Sequence, residues 1–176
     1  MSGGARVLLF TGKGKGKTTS ALGMAMRAAG HGLNVCLVQF VKDRNRDTGE
    51  SEFLKACGAI ELVRSGLGYV PEKSNAAFNR HAEAAREGLS KAAESIRSGT
   101  QELIIMDEVC AAIQTGLLGA EEVCGVVREA KEGQIIAMTG RNAPPELVAV
   151  SDTVTEMRCI KHAYNNDRPA RKGVEF

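Results

Sequence analysis

The stretch that most constrains this chain is RVLLFTGKGKGKTTSA, residues 6–21. Val7, Leu8, Leu9 and Phe10 form an apolar run that reads as a buried strand. A loop of alternating glycine and lysine follows, from Gly12 to Lys17, and Thr18 and Thr19 then open a helix. Strand, glycine loop and helix start, in that order, make a cradle for an anion. Glycine lets successive backbone N–H groups turn toward one point. The first helical turn leaves N–H groups unpaired at the positive end of the helix dipole. Lys17 adds a mobile positive charge, and Thr18 offers a hydroxyl suited to a magnesium ion.

The loop departs from the usual spacing, G-x-x-x-x-G-K-[ST]. Thr11 stands where the leading glycine belongs and Gly12 leads instead, so the loop reads G-x-x-x-G-K-T, one residue short. A shorter loop is a tighter cradle. The phosphate chain need not lie in it as it does in a kinase or GTPase.

A length of 176 residues fits one domain. With 43% hydrophobic and 25% charged residues, the chain reads as an ordinary soluble globule. A net charge of +2 is too small for a general nucleic-acid binder. The positive charge is local: Lys13, Lys15 and Lys17, then Lys42, Arg44 and Arg46, then Arg168, Arg171 and Lys172. A small anionic ligand accounts for these clusters better than a polyanion does. For the second and third, solvated surface side chains account equally well. The five cysteines are odd in number and contain no C-x-x-C, which argues against a disulfide framework. A reducing cytosol is the simplest compartment. The N-terminal MSGGAR has no apolar signal core, and no apolar run approaches the ~20 residues that span a bilayer. The expectation is a cytoplasmic protein with no membrane and no nucleic-acid partner.

Hydrophobic periodicity predicts alternating strands and helices. Residues 18–29 read as a helix with a stripe of Leu22, Ala25, Met26 and Ala29, stopped by Gly30-His31-Gly32. Arg27 lies off that stripe, where it could reach the phosphate side. Residues 35–40 are a second buried strand, Cys36 among its core residues, and the βαβ order implies parallel pairing. Residues 41–51 form a polar loop at that strand's carboxyl end, the edge where open α/β sheets bind ligands. A short helix at 52–57, a strand at 59–63 and an irregular loop at 65–71 follow. Ser74 is the expected cap of the longest helix, residues 75–98, whose core face is Phe78, Ala82, Ala85, Leu89, Ala92, Ala93 and Ile96. Glu83 with Arg86 and Glu87 with Lys91 support its outer face. His81 has no partner at metal spacing and reads as a surface residue. Helical pieces at 111–115 and 120–131, a strand at 134–138, a helix at 145–150 and a strand at 152–157 complete the pattern.

The strand Leu103, Ile104, Ile105, Met106 ends in Asp107 and Glu108. An apolar strand ending in two acids is often plain structure. Roughly 90 residues after a phosphate loop, it becomes the partner that such a loop needs: one carboxylate to hold magnesium, directly or through water, and a second to position a ligand. Arg141 follows the strand at 134–138 and reaches the same edge, where a guanidinium grips phosphate.

The ordered set TGKGKGKTT, GHGLNVCLVQFVK, LIIMDEV, MTGRNAPPEL and DTVTEMRCIKHAY resembles the P-loop corrinoid (cob(I)alamin) adenosyltransferases over nearly the whole chain. The short loop and the TEM…KH ending are its most specific parts. The resemblance implies a single α/β domain over residues 1–176, three-layered around a mostly parallel sheet of the P-loop NTPase, RecA-like kind. It implies ATP as co-substrate with Mg2+, a reduced corrinoid as acceptor, a reduced flavoprotein as electron donor and a homodimer. In this chemistry cobalt(I) attacks the ribose 5′-carbon and the whole triphosphate leaves, so the nucleotide lies reversed in the shortened cradle. The task is to neutralise a leaving group and align a nucleophile. By resemblance, Gly12, Lys13, Gly14, Lys15, Gly16, Lys17, Thr18 and Thr19 carry the triphosphate, with Lys17 and Thr18 central to catalysis. Arg27, Glu108 and Arg141 match ATP-contacting residues. Thr18, Asp107 and Glu108 are the metal candidates.

Two departures stand out. The family places an aromatic pair before the long helix to free the corrinoid's lower face; Tyr69 matches the first, and Pro71 stands at the tryptophan position in a chain without tryptophan. The chain also starts almost directly with its first strand, so closure of the site is expected to fall to a dimer partner or the tail. Two further readings stay open from the residues: a P-loop NTPase or nucleoside kinase, and a non-catalytic, ATP-responsive corrinoid carrier.

Overall fold

Among the described residues, runs bounded by glycine and polar turns become six strands, β1 (Arg6–Thr11), β2 (Val35–Gln39), β3 (Ile60–Arg64), β4 (Leu103–Asp107), β5 (Ile135–Thr139) and the exposed, mostly polar β6 (Thr153–Glu156). The computed structural model describes residues 4–45, 47–161 and 169–174. Arg46, His162 and Arg168, named above, lie outside the described residues. The strands form one sheet in the order β3-β2-β4-β5-β1-β6. Every pairing among the described residues is parallel. All carboxyl ends therefore share one edge, and β5 separates β1 from the acid-bearing β4.

Among the described residues six helices cover both faces: α1 (Lys17–Gly30), α2 (Gly49–Cys57), α3 (Phe78–Ser98), α4 (Val109–Gln114), α5 (Ala120–Arg128) and α6 (Pro145–Ala149). On one face, Ala21, Ala25 and Ala28 of α1 and Leu54 of α2 pack on Leu37, Ile105 and Ala137. On the other, Ala85, Leu89 and Ile96 of α3, Val123 of α5 and Leu147 of α6 pack on Leu9, Val38, Met106 and Met138. The layering explains the composition of β2 and β4. Both are buried along their whole length and so read as continuous apolar runs rather than alternating ones.

The structure moves several expected boundaries. The sheet-facing stripe of α1 is Lys17, Ala21, Ala25 and Ala28, not the stripe through Leu22 and Met26. Small alanines let the helix lie close to the sheet, while Leu22 and Met26 face a gap toward α2. Helix α2 starts earlier than expected, because Thr48 caps it reciprocally with Ser51. Ser74 does not cap α3. Residues 72–77 instead form turns, with the Asn75 N–H donating to Glu72 O and the Ala77 N–H to Asn75 Oδ1. On the outer face of α3, Lys91 pairs with Glu94 rather than Glu87. Helix α5 stops at Arg128, short of the expected 131. Its neighbour α3 keeps the expected core face, with Ala82, Ala85, Leu89, Ala92, Ala93 and Ile96 buried.

Candidate functional site

The glycine–lysine loop leaves β1 and enters α1 at the shared carboxyl edge. Gly12 and Gly16 take φ of 97° and 117°, the left-handed range that glycine tolerates. Gly14 is constrained by approach rather than by φ. Its N–H donates to Met157 O at 2.6 Å. A Cβ placed there would lie 2.7 Å from the same oxygen. The chain leaving β6 thus lies directly against the loop. Lys17, only 7% exposed, donates from Nζ to Gly12 O at 2.9 Å and Gly14 O at 2.8 Å. Its ammonium ties the loop into a ring. Burial lowers the Lys17 pKa, with Arg141 adding to the drop and Glu108 and Asp107 opposing it.

Asp107 closes β4 with no exposed surface. Thr18 Oγ1 from α1 and Thr139 Oγ1 from β5 donate to its Oδ1 at 2.8 and 2.7 Å. Gln39 Nε2 and Lys42 Nζ reach Oδ2 at 3.4 and 3.3 Å. The β2–β4 register sets Gln39 directly opposite Asp107. Gln39 Oε1 is buried and has no hydrogen-bond partner among the described residues. Glu108 turns the chain from β4 into α4 with φ of 62°, and its N–H donates to Thr139 Oγ1 at 2.9 Å. Burial raises the Glu108 pKa, and the neighbouring Asp107 raises it further.

A cavity of about 500 Å³ opens over this cluster. Lys15, Gly16, Lys17, Thr18, Thr19, Glu108 and Arg141 line it, together with Lys42 and Glu50. Gly173 and Val174 of the tail reach it too, and Lys15 Nζ donates to Val174 O at 2.5 Å. The structure thus gathers most of the residues singled out in the sequence. Four lie elsewhere. Gly12 and Lys13 line a second cavity on the other flank of the loop, with Glu156 and Arg158. Arg27 sits exposed in the last turn of α1, about 15 Å along the axis from Lys17, and lines neither cavity. Tyr69, 91% exposed, projects from the loop after β3. Sequence reasoning passed over Glu50, Thr139 and Gln39. For Gln39 there was a signal, one polar residue inside an otherwise apolar strand.

The family model described as ATP:corrinoid adenosyltransferase BtuR/CobO/CobP matches residues 4–176. The corrinoid adenosyltransferase of a Sinorhizobium species is 35% identical over 173 residues, covering 97% of this chain and 79% of that protein. The corrinoid adenosyltransferase of Pseudomonas aeruginosa is 34% identical, covering 97% of this chain and 83% of its own length. The corrinoid adenosyltransferase CobA of Salmonella typhimurium is 32% identical, covering 97% and 85%.

Proposed function

The chain belongs to the ATP:corrinoid adenosyltransferase family, and on that premise we propose how its own residues carry the reaction. It transfers the adenosyl group of ATP to a corrinoid. In our reading the acceptor is the cobalt(I) of a reduced corrinoid, which attacks the ribose 5′-carbon while triphosphate leaves. A leaving group of this charge needs cations and N–H donors around it before the bond breaks. The glycine–lysine loop supplies the N–H groups, and Lys17, Lys15 and Arg141 supply charge at the same cavity.

The observation that carries this reading is the Thr18–Asp107 hydrogen bond of 2.8 Å. It joins the anion loop to a buried carboxylate at the point where a nucleotide's metal would sit. The donor set fits magnesium: a hydroxyl, a carboxylate and the unpartnered Gln39 Oε1 are hard oxygen ligands or water acceptors. Thr18, Asp107 and Glu108 would hold Mg2+ at this edge of the sheet. Magnesium supplies neutralisation of the triphosphate. Lys17 orients the phosphate chain once its bonds to Gly12 O and Gly14 O give way to phosphate oxygens.

The reversed direction of the nucleotide rests on the family resemblance; Arg27, exposed about 15 Å along α1 from Lys17, would meet ATP only where the adenosine runs along that helix. The exposed ring of Tyr69 suits contact with a large flat co-substrate such as a corrinoid, on its lower face. Placement of β5 between β1 and β4 favours the RecA-like variant of the P-loop fold, in a single domain over residues 1–176. A homodimer, a reduced flavoprotein as donor and a cytoplasmic setting complete the proposal. No described helix is long and apolar enough to cross a membrane.

The test is product analysis with ATP and a corrinoid under strong reductant. The expected products are an adenosylated corrinoid and triphosphate. ADP and phosphate would replace this reading with the NTPase or kinase one, and binding of both ligands without turnover would favour a carrier.

A further inference from the structure

The chain leaving β2 makes an unusual turn. Val41 takes φ of 65°, a region that β-branched residues rarely enter. The Lys42 N–H donates back to Phe40 O at 2.6 Å, so the three residues form a γ-turn of the strained, positive-φ kind. Such outliers persist only where surrounding structure enforces them. Here the loop after β3 enforces it. The Gly68 N–H donates to Val41 O at 2.9 Å, and the Arg44 N–H donates to Gly66 O at 3.0 Å. Gly66 is so close that a Cβ on it would lie 2.2 Å from Lys42 O.

The turn aims the Lys42 side chain back over the sheet edge. Its Nζ lies 3.3 Å from Asp107 Oδ2 and 3.1 Å from Glu50 Oε1. The first carboxylate is fully buried and the second partly so, and the ammonium bridges them beside Thr18. A cation held between two carboxylates next to a loop hydroxyl has the surroundings of a bound divalent metal.

We propose that Lys42 is a stand-in cation and positioning residue of this site. Its ammonium holds Asp107 and Glu50 in place in the nucleotide-free protein and leaves them when Mg2+ enters with the nucleotide. The inference rests on the magnesium–nucleotide reading above. The ordering of two carboxylates without metal avoids their mutual repulsion. It also keeps free metal from occupying the site before ATP arrives. The flexible stem of lysine lets the displaced head swing onto a triphosphate oxygen in the same cavity.

Manganese binding followed by electron paramagnetic resonance tests this, with and without ATP, on the wild-type protein and on Lys42→Met and Lys42→Arg. Nucleotide-free Lys42→Met is expected to bind Mn2+ about tenfold more tightly than wild type, because the competing charge is gone. Lys42→Arg, which keeps the charge, is expected to match wild type. Should Lys42→Met lose its cooperative melting, Lys42→Gln answers the same question with a neutral side chain. Equal Mn2+ affinity in the neutral variant and wild type, with ATP-dependent Mn2+ binding intact, overturns the role of Lys42 alone. No Mn2+ binding by any protein in the presence of ATP overturns the metal reading and this inference together.

Discussion

Thr18 donates its hydroxyl to the fully buried carboxylate of Asp107 across 2.8 Å, although 89 residues separate them along the chain. That bond ties the start of α1 to the end of β4 across the intervening strand β5. It makes one site of a motif that is strong by itself and one that is weak. The loop alone already reads as an anion cradle, whereas the strand alone is an apolar run that ends in acids.

Lys17→Ala is expected to lower adenosyl transfer by about 10²-fold or more in kcat, the range seen when one preorganised charge or donor is removed from a developing anion. Loss of the ammonium also frees Gly12 O and Gly14 O, so the loop loses its closing bonds. Single-turnover measurement at saturating ATP is the check. Unchanged turnover would rule out a phosphate role for Lys17.

Gly14→Ala is expected to cost about 1–3 kcal/mol of stability, because the added carbon meets the Met157 carbonyl 2.7 Å away. The loop must shift off the chain that leaves β6, so ATP affinity is expected to fall with stability. Urea unfolding and an ATP titration measure the two effects. A variant as stable as wild type would mean that the loop and the segment after β6 move apart freely.

Glu108 has a pKa raised mainly by burial above its ordinary 4.5. An acid with a raised folded pKa binds more protons folded than unfolded between its two values, so stability falls as pH rises through that window. Glu108→Gln is therefore expected to melt at a higher temperature than wild type near neutral pH. The difference should close as pH drops toward and below 4.5. Melting curves of both proteins across that range decide it, and a variant less stable at neutral pH would show that Lys17 and Arg141 outweigh the burial.

Tyr69→Ala is expected to leave stability within about 0.5 kcal/mol of wild type, since 91% of the residue is exposed. Its effect should fall on the corrinoid, raising the corrinoid KM while the ATP KM holds. A variant with both constants unchanged would remove Tyr69 from the site.

Much of the fold was legible because its signals are local. The runs at β2 and β4 are apolar throughout since helices bury both faces, and the glycines after α3 and within the loop mark real turns. Where local rules failed, packing had decided. The stripe on α1 slipped by one position because alanines, not the larger Leu22 and Met26, fit the sheet. The cap of α3 moved because Asn75 holds a turn of its own. Within the site, Lys17, Thr18, Asp107, Glu108 and Arg141 were readable from their places after strands. Lys42 was visible only as one charge in a cluster, and Glu50 carried no signal.

By itself the sequence determined the anion loop, the acid-tipped strand and the α/β alternation, because each depends on residues close together in the chain. Tertiary structure alone decided which side chains meet Asp107. The order of the sheet, the register that sets Gln39 beside it and the strained turn at Val41 that brings Lys42 over it are contacts between distant segments. Such contacts depend on how the layers pack, and no spacing of residues along one segment encodes that.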